Sequence, residues 1–190
     1  QLALSGRTPA RLSRSVDQLV AAGLDAEQLL AIPADLGEAE AARAVVDATL
    51  ARFGALDVLV CAAGSGCFRR FDELSVADID AVLRSNLLAT LWLCHAALPQ
   101  LRARRGHIIL IGSGLGRRGA ARATAYCAAK FAVHGFAEAL RLDLARHGVR
   151  VTLIAPAGAG VATEFWATAD PQVSRRGMFP PERVAEAVLM

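Results

Sequence analysis

Tyr126 and Lys130 stand four residues apart in TAYCAAKFAVHGF, with Ser113 upstream and Asn86 before it. On a helix, positions i and i+4 share a face, so the Lys130 ammonium can sit beside the Tyr126 phenol. A free phenol titrates near ~10, and a neighbouring cation favours its ionised form. The pair therefore suits proton exchange with an alcohol or carbonyl oxygen, which the Ser113 hydroxyl could hold. The tyrosine–lysine spacing is weak by itself, because it arises by chance on many helices. Taken singly, Asn86 also reads as a buried polar residue bending its helix and Ser113 as a strand-end cap.

The surrounding elements add weight. Residues 107–112 form an apolar run that reads as a buried strand ending just before Ser113, thirteen residues ahead of Tyr126. Gly148 reads as a helix stop, and 149–154 as another strand closing at Ala155 and Pro156. Earlier, 56–61 runs as a strand into Ala62, Ala63 and Gly64. Nearer the start, 2–4 reads as a strand remnant, and Thr8 and Pro9 cap a helix with Leu12, Val16 and Leu19 inward. A strand over 29–34 precedes a helix over 38–53, with Val45, Val46, Leu50 and Phe53 inward and Gly54 at its end. Ser75 or Asp78 opens a long helix reaching about Leu101, with Pro99 a candidate bend. Right-handed crossovers make the resulting α/β sheet parallel and doubly wound, in a single domain over 1–190.

With these pieces in order, the chain resembles the short-chain dehydrogenase/reductase family over nearly its whole length. The resemblance implies a Rossmann-like fold and a tetrad of Asn86, Ser113, Tyr126 and Lys130. It implies hydride transfer between a nicotinamide and a substrate carbon, coupled to proton transfer through Tyr126. Lys130 would lower the phenol pKa and bind the nicotinamide ribose, while Asn86 would anchor a water leading to solvent. The family opens with a strand and a glycine-rich turn, which this sequence from Gln1 onward does not supply, and it continues past the helix at 181–190 to a last strand. The fold is accordingly expected to be incomplete at both ends, with a gap between the strand at Leu2 and the strand at Leu56.

Gly6 and Arg7 stand where an acidic residue would bind the adenosine ribose of NAD. Arginine can instead pair with the 2′-phosphate, so NADP(H) is favoured over NAD(H), unless Arg7 merely flanks its helix in solvent. Asp35 and Leu36 resemble the family's adenine-contacting pair, although Asp35 also reads as the next helix's N-cap. Cys61 and Ala62 replace the two asparagines of the family's turn ahead of Ala63 and Gly64, which removes their side-chain hydrogen bonds. Pro156 and Thr163 resemble residues that contact the cofactor, at a spacing two residues longer than usual.

The composition fits an α/β enzyme, at 54% hydrophobic and 21% charged residues over 190 positions. A chain of this length buries roughly 70% of its unfolded surface, enough for a core without staples. The longest apolar stretch, 87–98, contains His95 and falls short of the ~20 residues of a membrane helix, so no membrane partner is expected. Cys61, Cys67, Cys94 and Cys127 form no C-x-x-C and read as free thiols in a reducing, cytoplasmic setting, and no metal is expected. Cys127 reads as a packing residue. A net charge of +3 with scattered arginines does not imply nucleic acid. Arg117 and Arg118 read as a solvated pair, with an acidic substrate as the alternative.

The segment 164–180 reads as a mobile loop over the pocket, and its aromatics, with Leu115, point to an apolar or ring-bearing ketone, with plain packing residues as the equal alternative. Trp92, Phe131 and Phe136 read as outer positions of helices that pair between subunits in the family, so a homotetramer or dimer is expected. The rival reading is a catalytically idle nucleotide-binding or regulatory protein that has kept the fold.

Overall fold

The structure, a computed structural model, describes residues 1–158 and 160–190. Strands and helices alternate: β1 (Leu2–Gly6), α1 (Pro9–Ala21), β2 (Leu29–Pro33), α2 (Ala39–Phe53) and β3 (Val58–Cys61). Then come α3 (Val76–Leu83), α4 (Ala89–Arg104), β4 (His107–Ile111), α5 (Thr124–Leu144), β5 (Arg150–Ile154), α6 (Phe165–Ala169) and α7 (Glu182–Leu189).

Every ladder is parallel. β1 pairs with β2, and β4 lies between β3 and β5. The strands form two ladders, with the expected gap, because β1 and β3 do not pair with each other. Val58 and Val60 of β3 are correspondingly exposed. β4 is central and packs under α4, and its residues Ile108, Ile109 and Leu110 are buried, as befits a strand with cover on both faces. Leu101, Ile108, Leu110 and Leu144 are fully buried and join α4, β4 and α5 into one core. Burying each such side chain contributes about 1.5–3 kcal/mol, which makes these the elements that hold the site rigid.

Local signals explain most boundaries. Gly54 and Gly148 end their helices at φ 76° and 68°, a left-handed conformation that other residues adopt at a cost. Ser75 and Asp78 both serve at the start of α3, since each side chain accepts from the other's backbone N–H in a capping box. Two expected caps differ. Thr8 precedes α1 without a side-chain cap bond, and its backbone carbonyl accepts from Arg11 and Leu12 instead. Glu38, and not Asp35, is the N-cap of α2, because the Asp35 carboxylate accepts from the Gly37 N–H at 3.0 Å and closes a turn on itself.

The long helix expected from Ser75 onward is interrupted at residues Arg84–Leu88, which form a π-helical turn, and not at Pro99, which sits within α4. Such a turn inserts one residue into the helix and is frequent at functional sites. Asn86 is its middle residue. The helical run Val76–Arg104 is the one stretch among the described residues long and apolar enough to cross a membrane. Its apolarity has another use here, since Leu93, Cys94, Ala97 and Leu101 pack into the core beside α2, β3 and β4.

Candidate active site

The carboxyl ends of β3, β4 and β5 open on a cavity of about 470 Å³, the position where open parallel sheets bind ligands. Asn86, Ser113, Tyr126 and Lys130 all line it. So do Ala62, Gly64, Pro156 and Thr163, which makes eight of the twelve residues singled out from the sequence. Arg7, Asp35, Leu36 and Ala63 do not line it. Arg7 is exposed just beyond β1, Asp35 turns on Gly37, and the Leu36 side chain is buried in the core.

Each member of the tetrad has a structural reason for its place. α5 puts Tyr126 and Lys130 on one face, with Lys130 Nζ 5.7 Å from the Tyr126 ring centroid. Lys130 is buried, and its Nζ donates to the Ile111 carbonyl at 3.0 Å. Ser113 follows β4, and its hydroxyl accepts from the Leu115 N–H at 3.1 Å, which orients it at the cavity edge. Asn86 is 1% exposed, and its side-chain N–H donates to the Val82 and Ser65 carbonyls at 2.8 and 2.7 Å. Its Oδ1 is buried and accepts from no group among the described residues.

The electrostatics differ from the sequence expectation in one respect. Burial pushes the Tyr126 phenol above its ordinary pKa, the Ser113 hydroxyl opposes that rise, and Cys127 adds to it. Lys130 Nζ is directed to the Ile111 carbonyl and is itself desolvated, which lowers its pKa to about 8. The arrangement thus holds a protonated phenol and a cation of reduced basicity on one wall.

The same wall fits a nicotinamide riboside. A Cβ built at Gly64 would lie 2.6 Å from Asn86 Oδ1 and 3.8 Å from Lys130 Nζ, so only glycine leaves this cradle open. An unmet buried acceptor and a cation facing a bare backbone suit ribose hydroxyls or a water between them. Cys61 has turned away from this role. It is buried with its Sγ 4.0 Å from Cys94 Sγ, and that hydrogen bond together with burial raises its pKa, so it packs the core as an inert thiol. Cys127 is likewise buried and packs with its Sγ 3.9 Å from the Arg118 carbonyl.

Several lining residues have no sequence signal. Phe68 lies 5.4 Å from the Tyr126 ring and 5.3 Å from Trp166, and Phe165 lies 5.6 Å from Tyr126, all centroid to centroid. The loop composition singles out Phe165 and Trp166 but not Phe68, because nothing in GCFRRF distinguishes it from Phe71, which is exposed. The Phe68 N–H donates to the Ala169 carbonyl at 2.9 Å and its own carbonyl accepts from Arg122 at 3.1 Å, so the loop is stitched to α6. Val184 and Val188 of α7 also face the cavity, and Phe179 does not. Arg118, read as part of a solvated pair, is exposed and lines the cavity.

A model of short chain dehydrogenases matches residues 1–173. The chain belongs to the short-chain dehydrogenase family. This short-chain dehydrogenase is 36% identical over 181 residues to the 2,3-dihydroxy-2,3-dihydro-p-cumate dehydrogenase of Pseudomonas putida, spanning 92% of this chain and 68% of that one. It is 39% identical over 149 residues to the L-fucose dehydrogenase of Mus musculus, spanning 75% and 54%. Among solved structures, an alcohol dehydrogenase from Thermococcus sibiricus complexed with 5-hydroxy-NADP superposes with a TM-score of 0.87 at 26% identity, covering 98% of this chain and 77% of that one.

Proposed function

We propose that this short-chain dehydrogenase is an NADP(H)-dependent oxidoreductase that interconverts a ketone and a secondary alcohol. The observation that carries the reading is the convergence of Asn86, Ser113, Tyr126 and Lys130 on one cavity beside the glycine cradle at Gly64. When bound, a reduced nicotinamide supplies a hydride, two electrons and one hydrogen, to the carbonyl carbon. Ser113 holds the carbonyl oxygen through its hydroxyl. Tyr126 gives its phenolic proton to that oxygen as negative charge develops there. The phenol, whose pKa burial raises, is protonated at neutral pH, as the donor role requires. Lys130 stabilises the phenolate left behind, and the unmet Asn86 Oδ1 anchors a water through which the proton is restored from solvent.

Arg7 supports NADP(H) over NAD(H), since a guanidinium beside Gly6 suits a 2′-phosphate and no carboxylate stands there to bind a free ribose. The T. sibiricus structure with its NADP derivative supports the same choice. Asp35 and Leu36 are assigned to the adenine end, and Ala62, Ala63, Pro156 and Thr163 to the nicotinamide end. The free cysteines fit a cytoplasmic enzyme. The exposed Phe131 of α5, with half-buried Trp92 and Phe136, supports pairing of these helices between subunits as a dimer or tetramer.

The test is the full-length protein with NADPH or NADH and a panel of linear and cyclic ketones, followed by nicotinamide absorbance. The expected result is ketone-dependent oxidation of NADPH in preference to NADH. Tight NADPH binding with no turnover of any ketone would favour the idle nucleotide-binding reading.

A further inference from the structure

The cavity is apolar except at a few points, and its charged lining residues are both cations: the buried Lys130 and the exposed Arg118. No aspartate or glutamate lines it among the described residues. Lys130 is committed to Ile111 and to the phenol, whereas Arg118 forms no ion pair with any carboxylate among the described residues. Its backbone is nevertheless fixed, because its carbonyl lies 3.9 Å from the Cys127 thiol, next to Tyr126. The neighbouring Arg122, by contrast, is used internally, on Asp170 and on the Phe68 carbonyl.

The wall of the same cavity beside Tyr126 is aromatic. Phe68 and Phe165 each meet the Tyr126 ring, and Trp166 meets both, edge-on to Phe165 at 5.1 Å. Such a wall offers ring faces and edges to a flat or cyclic apolar body. A substrate with its oxygen on Ser113 and Tyr126 and its ring against Phe68 would share the cavity with the Arg118 side chain, which no carboxylate among the described residues pairs with. A guanidinium in that position recognises a carboxylate through paired hydrogen bonds.

We propose that the substrate is a ring-bearing ketone or alcohol that also carries a carboxylate, with Arg118 as the residue that selects the acid and Phe68, Phe165 and Trp166 as the surface that selects the ring. This assignment rests on the ketone–alcohol reading above and adds to it the identity of the far end of the substrate.

The test compares a cyclohexanone carboxylate with its methyl ester as substrates of the full-length protein with NADPH. The readout is the ratio of kcat/KM for acid over ester in the wild type, Arg118→Gln and Arg118→Lys. The wild type should prefer the acid by about tenfold, Arg118→Gln should lose most of that preference, and Arg118→Lys should keep part of it, since a point charge replaces a fork. Turnover of both compounds at a ratio indifferent to Arg118 would overturn this proposal alone. A raised KM for NADPH in Arg118→Gln with the ratio intact would overturn it equally, because the guanidinium would then serve the cofactor. Absence of turnover with either compound and with every other ketone would overturn the underlying reading as well.

Discussion

Lys130 Nζ donates to the carbonyl of Ile111 at 3.0 Å, tying the middle of α5 to the last residue of β4, two positions before Ser113. One hydrogen bond thus sets the separation between the helix that carries the phenol and the strand that carries the hydroxyl. It also explains how a lysine can be 5% exposed and still be retained.

That burial has a stability consequence. Holding the ammonium at a pKa of about 8 instead of 10.5 costs on the order of 3 kcal/mol while the group stays charged in both states. Replacing it by Lys130→Met removes this cost but leaves the Ile111 carbonyl unpaired, which offsets about 1 kcal/mol or more. The variant should therefore be inactive yet at least as stable as the wild type at pH 7. Because the folded pKa is depressed, the unfolded chain binds the extra proton between about 8 and 10.5, so wild-type stability recovers as pH rises through that window and the difference narrows. Urea unfolding of both proteins at pH 7 and pH 10 measures this, and a variant much less stable at pH 7 would contradict it.

The same two groups shape the rate. The proposed reduction would use a protonated Tyr126, whose pKa lies above its ordinary value, and a charged Lys130, whose charge is lost as pH rises through about 8. kcat/KM for ketone reduction should be level from pH 6 to 7 and fall above about 8, whereas alcohol oxidation, which needs the phenolate, should gain with pH over the neutral range. A reduction profile that rises from pH 7 to 10 would contradict the assignment.

The tetrad and part of the cavity wall are legible in the sequence because these residues sit at element ends whose signals are local: an apolar run before Ser113, an i, i+4 pair on one helix, a glycine after β3. What escapes it has non-local causes. The π turn at Asn86 depends on the amide reaching Val82 and Ser65 together, and no spacing announces it. The aromatic wall brings Phe68 to Trp166 across nearly a hundred residues. The rise in the Tyr126 pKa depends first on how deeply the ring is buried, which is not written in Y-x-x-x-K. Asp35 looks like a cap in the sequence because its carboxylate has two backbone N–H groups within local reach, and in the fold the nearer turn wins.

A second buried polar group lies behind the serine turn. His134 on α5 packs its ring against Gly112 and Gly116, and a Cβ at Gly112 would sit 2.8 Å from its Nε2. Burial, with Arg117 nearby, holds the imidazole below its ordinary pKa and therefore neutral. Gly112→Ala should destabilise by about 1–3 kcal/mol through this overlap. In a His134→Ala background the penalty should shrink by at least about 0.5 kcal/mol, because the obstacle is gone. Urea unfolding of the four proteins in the cycle gives the coupling; strictly additive effects would show that the ring does not set the position of the turn.

The central claim is that Tyr126 transfers the proton. Steady-state turnover of the best ketone, paired with NADPH titration by fluorescence, tests it in Tyr126→Phe full-length protein, which keeps the ring in its aromatic wall and removes only the hydroxyl. Turnover should fall at least about a hundredfold while NADPH affinity stays within about threefold of the wild type. Turnover equal to that of the wild type would contradict the account.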